Sequence, residues 1–363
     1  MRIARARILE YRRVFDPPLW NPATVWRERR APLLVLEADD GTIGLGEAWC
    51  RQDEIGRAFS ALGAAVSSLI GETIEAARAR TAPPPDGWPM AGAASAVDMA
   101  LADLAARAAG QSLAQFLGLP ARPVDVYASG GLYGERKGEP ELAAEMAGYV
   151  AEGFRTVKMK IGGLDHDSDL SRVAAVRAAI GDADLIVDGV EQYDRNSAPT
   201  IARRLADLGV GAFQAPLPAD DIDGLATLAR TSPIPLILGE AEWDLHRLRR
   251  LVESGATGWL QVNPALVGGT VGVASLAAMV AKSGVPLTLQ CHATAILQAA
   301  CLHLGAHDAV NMVEFHRVHD HLHDLLPPSL LSLSDGRIAL PERPGLALSE
   351  PVDWISLVLE LQA

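Results

Sequence analysis

Lysine is scarce in this chain: only four of its 32 basic residues are lysine, at positions 137, 158, 160 and 282. Cysteine is scarcer still, and Cys50, Cys291 and Cys301 fit neither a paired framework nor a zinc spacing. A reducing compartment follows as the expectation. No apolar stretch approaches the ~20 residues that a membrane helix needs. The N-terminal MRIARARILEYRR lacks an apolar core of signal-peptide length, so a soluble cytoplasmic protein with no membrane partner is expected. Positive charge is also in deficit. A net charge of −13 argues against nucleic acid as a partner, and any anionic small molecule must be held by local cations. No low-complexity block appears, and no GxGxxG follows the first strand-like segment of the regular region. The open dinucleotide-binding sheet is therefore the lesser reading.

What is present begins with texture. Hydrophobic residues make up 49% of the 363 and charged residues 21%, an ordinary globular balance in a chain long enough for two domains. Residues 1 to about 120 mix strands with one long helix. RAPLLVLEADDGTIGLGEAW predicts two strands around an Asp39-Asp40-Gly41 turn, and 95–118 carries helical spacing and ends at glycine. From about residue 122 short apolar strands recur, each followed by a longer amphipathic stretch. They fall near 124–130, 156–161, 185–188, 211–214, 235–240, 259–262, 286–290 and 310–314. Strand–helix units at roughly 25-residue intervals predict an α/β fold of the (β/α)8 barrel type.

Barrel chemistry gathers where strands end at the C-terminal face. The polar residues at those ends are Lys158 and Lys160, then Asp188, Gln214, Glu240, Asn263, Gln290 and Glu314. Residues two apart on a strand share a face, so both lysines of VKMKI are expected to point inward. Neighbouring ammonium groups in a partly dry site depress each other's pKa and move one toward general-base duty, which arginine cannot perform. Solvated lysines on an edge strand are the bland alternative, opposed by the flanking Val157, Met159 and Ile161. Asp188, Gln214 and Glu240, in phase on successive strands, suggest a site for a hard divalent cation such as Mg²⁺. For any one of them, a helix cap or a surface ion pair is the bland alternative.

These residues carry a resemblance. DDGTIGLGEAW, SAVDMALADLAARAAG, VYASGG, VKMKIGG, IVDGVEQYD, FQAPLP, LGE and VGGTVG resemble the enolase superfamily, mandelate racemase/muconate lactonizing branch, along almost the whole chain. The resemblance implies a modified TIM (β/α)7β barrel at 121–330, an α+β capping domain at 1–120, and a segment at 331–363 returning to the cap. It implies Mg²⁺ bound to a substrate carboxylate, with Lys160 as the base and Lys158 as its electrostatic partner. Trp20, Trp26 and Arg27 would touch the substrate's distal end, and Glu314 would hydrogen-bond substrate. Relatives are often homo-oligomers.

The departures matter as much. The family's usual EEP run is Gln214-Ala215-Pro216 here, so the second metal ligand has no charge. The usual Asp-x-Asn is Asp188-Gly189-Val190. Asn263 and Gln290 stand where a catalytic Asp and His are common, which disfavours a two-base racemase. His292, two residues beyond Gln290, is a candidate displaced acid or base. His316, His319, His321 and His323 form a cluster with no standard metal spacing, read as a polar loop at the barrel mouth. Cys291 is read as a small packed thiol. The expectation is dehydration or isomerisation of a sugar acid. The rivals are a metal-independent enzyme and a scaffold that kept the fold and merely binds a small molecule.

Overall fold

The computed structural model describes residues 1–80, 87–318, 325–350 and 356–363. The chain starts with three antiparallel strands, β1 (Ile3–Asn21), β2 (Thr24–Ala38) and β3 (Ile43–Glu47), the last two joined by the expected Gly41 turn. Helices α1 (Ile55–Ser67), α2 (Ile74–Ala79), α3 (Trp88–Ala108) and α4 (Leu113–Phe116) follow. The first two were not expected. The helical pattern read across 95–118 divides at Gly110, whose positive φ ends α3 before Ser112 caps α4.

The glycines of TIGLGE have a packing reason. A Cβ on Gly44 would lie 2.2 Å from the Ala100 carbonyl oxygen, and one on Gly46 would lie 2.1 Å from that of Ala96. Only glycine lets β3 run this close beneath α3. Their shared core is sealed by Leu34, Leu36, Ala96, Ala100, Leu101 and Leu104.

The barrel strands are β4 (Val124–Ser129), β6 (Thr156–Lys160), β7 (Asp184–Asp188), β8 (Ala212–Gln214), β9 (Leu236–Leu238), β10 (Trp259–Val262), β11 (Leu287–Leu289) and β12 (Val310–His316). Each pairs in parallel with the next, and β12 pairs with β4 to close the ring. Helices α5 (Glu139–Ala151), α6 (His166–Ala179), α7 (Ala198–Asp207), α8 (Ile222–Thr231), α9 (Leu245–Glu253), α10 (Gly269–Val280) and α11 (Ala295–Leu304) fill the seven crossovers. The (β/α)7β form of the resemblance is therefore the one present. Tyr127, Ile186, Ala212 and Ile237 fill the interior as a plug below the polar strand ends.

Short β5 (Tyr133–Gly134), from the loop after the first barrel strand, pairs with Leu19 and Trp20 of β1. The final residues divide their loyalties. The strand β15 (Ser356–Gln362) pairs antiparallel with β1. Helix α12 (Pro328–Leu331) comes before the hairpin of β13 (Leu333–Ser334) and β14 (Arg337–Ile338), which pairs with β4 of the barrel. Among the described residues no helix is long and apolar enough to cross a membrane.

Candidate active site

The strand ends converge as the phase predicted. Lys158 is fully buried, and its ammonium pairs with Glu314 Oε1 at 2.6 Å. It also donates to Gln214 Oε1 at 3.1 Å and lies 5.3 Å from the centre of the Tyr127 ring. Lys160, 8% exposed, pairs with Asp188 on the adjacent strand. The expectation of mutual depression fails for Lys158. Burial lowers its pKa, but Glu314, Asp188 and Glu240 outweigh it, and the net direction is upward. Carboxylates, not the second lysine, dominate its surroundings.

Glu240 sits partly exposed at the end of β9. Loss of water there, reinforced by the Asp188 charge, pushes its carboxyl up to about 7. Its Oε2 accepts from the Gln214 amide and, at 3.4 Å, from the Gln290 amide. Gln290 Oε1 in turn accepts from Asn263 Nδ2 at 2.8 Å, and Asn263 Oδ1 accepts from the Ala265 amide at 2.8 Å. On the other side, Glu314 Oε2 accepts from the Cys291 amide at 3.2 Å. Three of the departures from the family pattern, Gln214, Asn263 and Gln290, are thus members of one hydrogen-bond network that converges on Glu240. Each amide gives its N–H to the next acceptor, and none is left orphaned.

The donor set can be tested against a hard cation. Among the described residues no three His, Cys, Asp or Glu side chains stand close enough together to hold a metal ion by themselves. Asp188, Gln214 and Glu240 do supply three oxygen-bearing groups on neighbouring strands, the ligand chemistry Mg²⁺ takes when waters and substrate complete its shell. Only two of those groups carry charge. The loops behind them are strained: Val190, Glu191 and Ala215 all have positive φ, and Asp188 Oδ1 accepts from the Val190 amide at 2.9 Å. A β-branched residue in that region is costly, and such strain gathers at functional sites.

The cap closes over the opposite side. Trp26 is buried and meets His292 edge-on at 5.9 Å, and His292 lies 5.0 Å from His316. The other cluster members, His319, His321 and His323, lie outside the described residues. Trp20 stacks on Tyr133 at 4.3 Å, against Gly163 of the loop that follows Lys160. It therefore clamps the rim. Arg27 is exposed. The arginine on the inward face of β2 is Arg29, which donates to the His292 carbonyl at 2.8 Å.

Glu47, at the end of the glycine-rich strand, accepts from the Thr294 amide and hydroxyl and from the Leu297 amide, capping α11. Burial pushes its carboxyl up to about 7 against these bonds, and burial pushes Arg29 down to about 10. Two residues of α3 do the same for α10: Ser95 Oγ accepts from Gly268, and Asp98 accepts from Thr270. Cys291 is buried with its thiol pushed upward by burial, as expected of a packed group.

Arg29, Glu47 and Ser129 were not singled out in the sequence. Ser129 shared the strand-end signal: it is in register with Lys158 and His316, and its buried hydroxyl has no partner. Glu47 lies in the GLGEAW stretch, next to Gly46, whose close approach to α3 sets its position.

With the geometry in place, the relatives can be set beside it. The family model described as enolase C-terminal domain-like matches residues 141–350, and that of the mandelate racemase/muconate lactonizing enzyme N-terminal domain matches 5–118. The D-galactarolactone cycloisomerase of Agrobacterium fabrum is 30% identical over 365 residues, covering 95% of this chain and 94% of that one. The arabinonate dehydratase of Saccharolobus solfataricus is 30% identical over 253 residues, 69% and 68% of the two chains. The L-talarate dehydratase of Polaromonas sp. JS666, solved with Mg and L-glucarate, superposes with a TM-score of 0.85 at 24% identity, covering 100% of this chain and 99% of that one. Enzymes matching at this length disfavour the reading as a mere binding scaffold. The chain belongs to the mandelate racemase/muconate lactonizing branch of the enolase superfamily.

Proposed function

We propose that this chain removes the proton α to the carboxylate of a sugar acid, with Lys160 as the base. The enediolate so formed then loses a β-hydroxyl or is reprotonated, giving dehydration or isomerisation. The observation that carries this is the division of labour between the paired lysines. Lys158 is sealed between Glu314 and Gln214, whereas Lys160 alone retains exposure toward the barrel mouth. Lys158, its pKa raised, stays cationic and offers fixed positive charge to the developing oxyanion.

Lys160 takes the proton as the neutral amine, and Asp188 beside it pairs with the ammonium so formed. A divalent cation held by Asp188 and Glu240, with Mg²⁺ the one bound by a solved relative, would supply the charge that steadies the carboxylate and the enediolate. On the far side Asn263 and Gln290 donate hydrogen bonds but carry no titrating group. His292, under Trp26, is the acid we assign there, delivering a proton to the leaving hydroxyl or to the α-carbon. Sugar acids are favoured as the substrate class by the arabinonate and galactarolactone named for the relatives. The metal-free reading is weaker, because each lysine is already paired with a carboxylate and Lys158 alone would have to offset both the substrate carboxylate and the enediolate.

The test is α-proton exchange in heavy water, followed by NMR on a panel of aldonates, aldarates and their lactones with Mg²⁺. Exchange on at least one of them is expected, and Lys160→Ala should slow it by about 10²–10⁴-fold. Exchange that survives Lys160→Ala undiminished sinks the assignment.

A further inference from the structure

Gln214 occupies the position of a metal ligand, yet its contacts assign it another task. Its amide oxygen faces Lys158, and its amide nitrogen faces the Glu240 carboxylate. An ammonium can only donate and an ionised carboxylate can only accept, so the two neighbours together decide which way the amide points. Rotating it by half a turn would set N–H groups against N–H groups on one side and oxygen against oxygen on the other. The side chain is 1% exposed, so water is not at hand to relieve either clash.

We infer that Gln214 is not a cation ligand in this protein but a bridge between Lys158 and Glu240. A divalent cation is then held by Asp188 and Glu240 alone among the side chains. This deepens the proposed function and rests on its metal site. The bridge has a physical use. A Glu at this position would add a third carboxylate beside Asp188 and Glu240 and would set like charges together unless a cation neutralised them. With Gln214, the Glu240 carboxylate instead receives N–H donors from Gln214 and Gln290. Lys158 meanwhile keeps a neutral acceptor beside its charged partner Glu314. The metal-free pocket is therefore self-satisfied, and folding does not depend on the ion.

Three proteins decide it: wild type, Gln214→Met, which keeps the bulk but has no oxygen, and Gln214→Glu. Mg²⁺ affinity is measured by calorimetry, with Mn²⁺ as a second probe, and melting temperature is measured in EDTA and in Mg²⁺. Circular dichroism confirms that each variant is folded, and Gln214→Ala replaces Gln214→Met if the latter is not. The inference expects the Met variant to bind within about fivefold of wild type. Gln214→Glu should bind at least about tenfold tighter, because a charged oxygen ligand is restored. The Glu variant should also melt lower than wild type in EDTA and recover with Mg²⁺. Loss of more than about fivefold in affinity on Gln214→Met overturns the inference and leaves the metal site standing. Absence of binding in all three proteins overturns the metal reading itself.

Discussion

The two sides of the barrel mouth are built differently. From β6 to β9 the side chains are charged: Lys158, Lys160, Asp188 and Glu240 neutralise one another, with Gln214 between them. From β10 to β11 they are amides, Asn263 and Gln290. The charged side is positioned from within, by the parallel ladder and by its own ion pairs. The amide side is held from outside by the cap. Ser95 and Asp98 grip the loop before α10, and Arg29 and Glu47 grip the loop before α11. Charges in a dry site direct each other strongly, whereas amides need a scaffold to orient them. The cap's Ser95, Asp98, Glu47 and Arg29 thus bear on the side that lacks titrating strand-end groups and on His292, while Trp20 and Trp88 meet the charged side only at its rim loops.

The contrast can be broken most severely at its buried pair. Lys158→Met leaves Glu314 buried without a cation and is expected to destabilise the fold by about 3–5 kcal/mol. The same change at Lys160, which unlike Lys158 keeps 8% exposure, should cost less stability while removing activity. Urea denaturation of the two variants measures the difference, and equal losses would erase the division between them.

Glu47 tests the outside grip. Its folded pKa of about 7 stands above the ordinary value of 4.5, so its protonated form is favoured by folding. Stability from this group is greatest at acid pH and falls as pH rises from about 4.5 to 7, by on the order of 3 kcal/mol. Glu47→Gln, which keeps one acceptor oxygen but puts an NH2 in place of the other, should be somewhat less stable at pH 5 and should lack that decline. Denaturation at pH 5 and pH 8 reads the difference, and parallel pH profiles would contradict it. Amide hydrogen exchange in residues 290–297 should rise in this variant while 156–160 stays protected.

The smallest effect sharpens the charged side. Val190 stands at φ 50°, a conformation that asparagine tolerates and a β-branched residue does not. Val190→Asn, which restores the family's Asp-x-Asn, should raise the melting temperature by the equivalent of about 1 kcal/mol. An unchanged or lowered value would mean that the loop carries no strain there.

Much of this was legible in the sequence because it is periodic. Spacing near 25 residues placed the eight strands, and period two placed both lysines inside. Missed elements had no such rhythm. Helices α1 and α2 lie outside the repeat, and the break at Gly110 is a single left-handed residue in an alanine-rich run. Arg27, expected at the substrate's distal end, is exposed, whereas Arg29 is buried against the His292 carbonyl, and the facing of a long irregular strand depends on its bulges.

The residue types at the barrel mouth, and hence the chemistry available there, were determined by the sequence alone. Tertiary structure decided what each residue does. It set Gln214 between Lys158 and Glu240, linked the three amides into one network, and surrounded Lys158 with carboxylates that raise rather than lower its pKa. It also brought Glu47 to Thr294 and Arg29 to His292, partners 247 and 263 residues apart. Local pattern encodes which face a residue takes. The charges it meets there come from distant strands, and only the closed barrel and its cap bring them within reach.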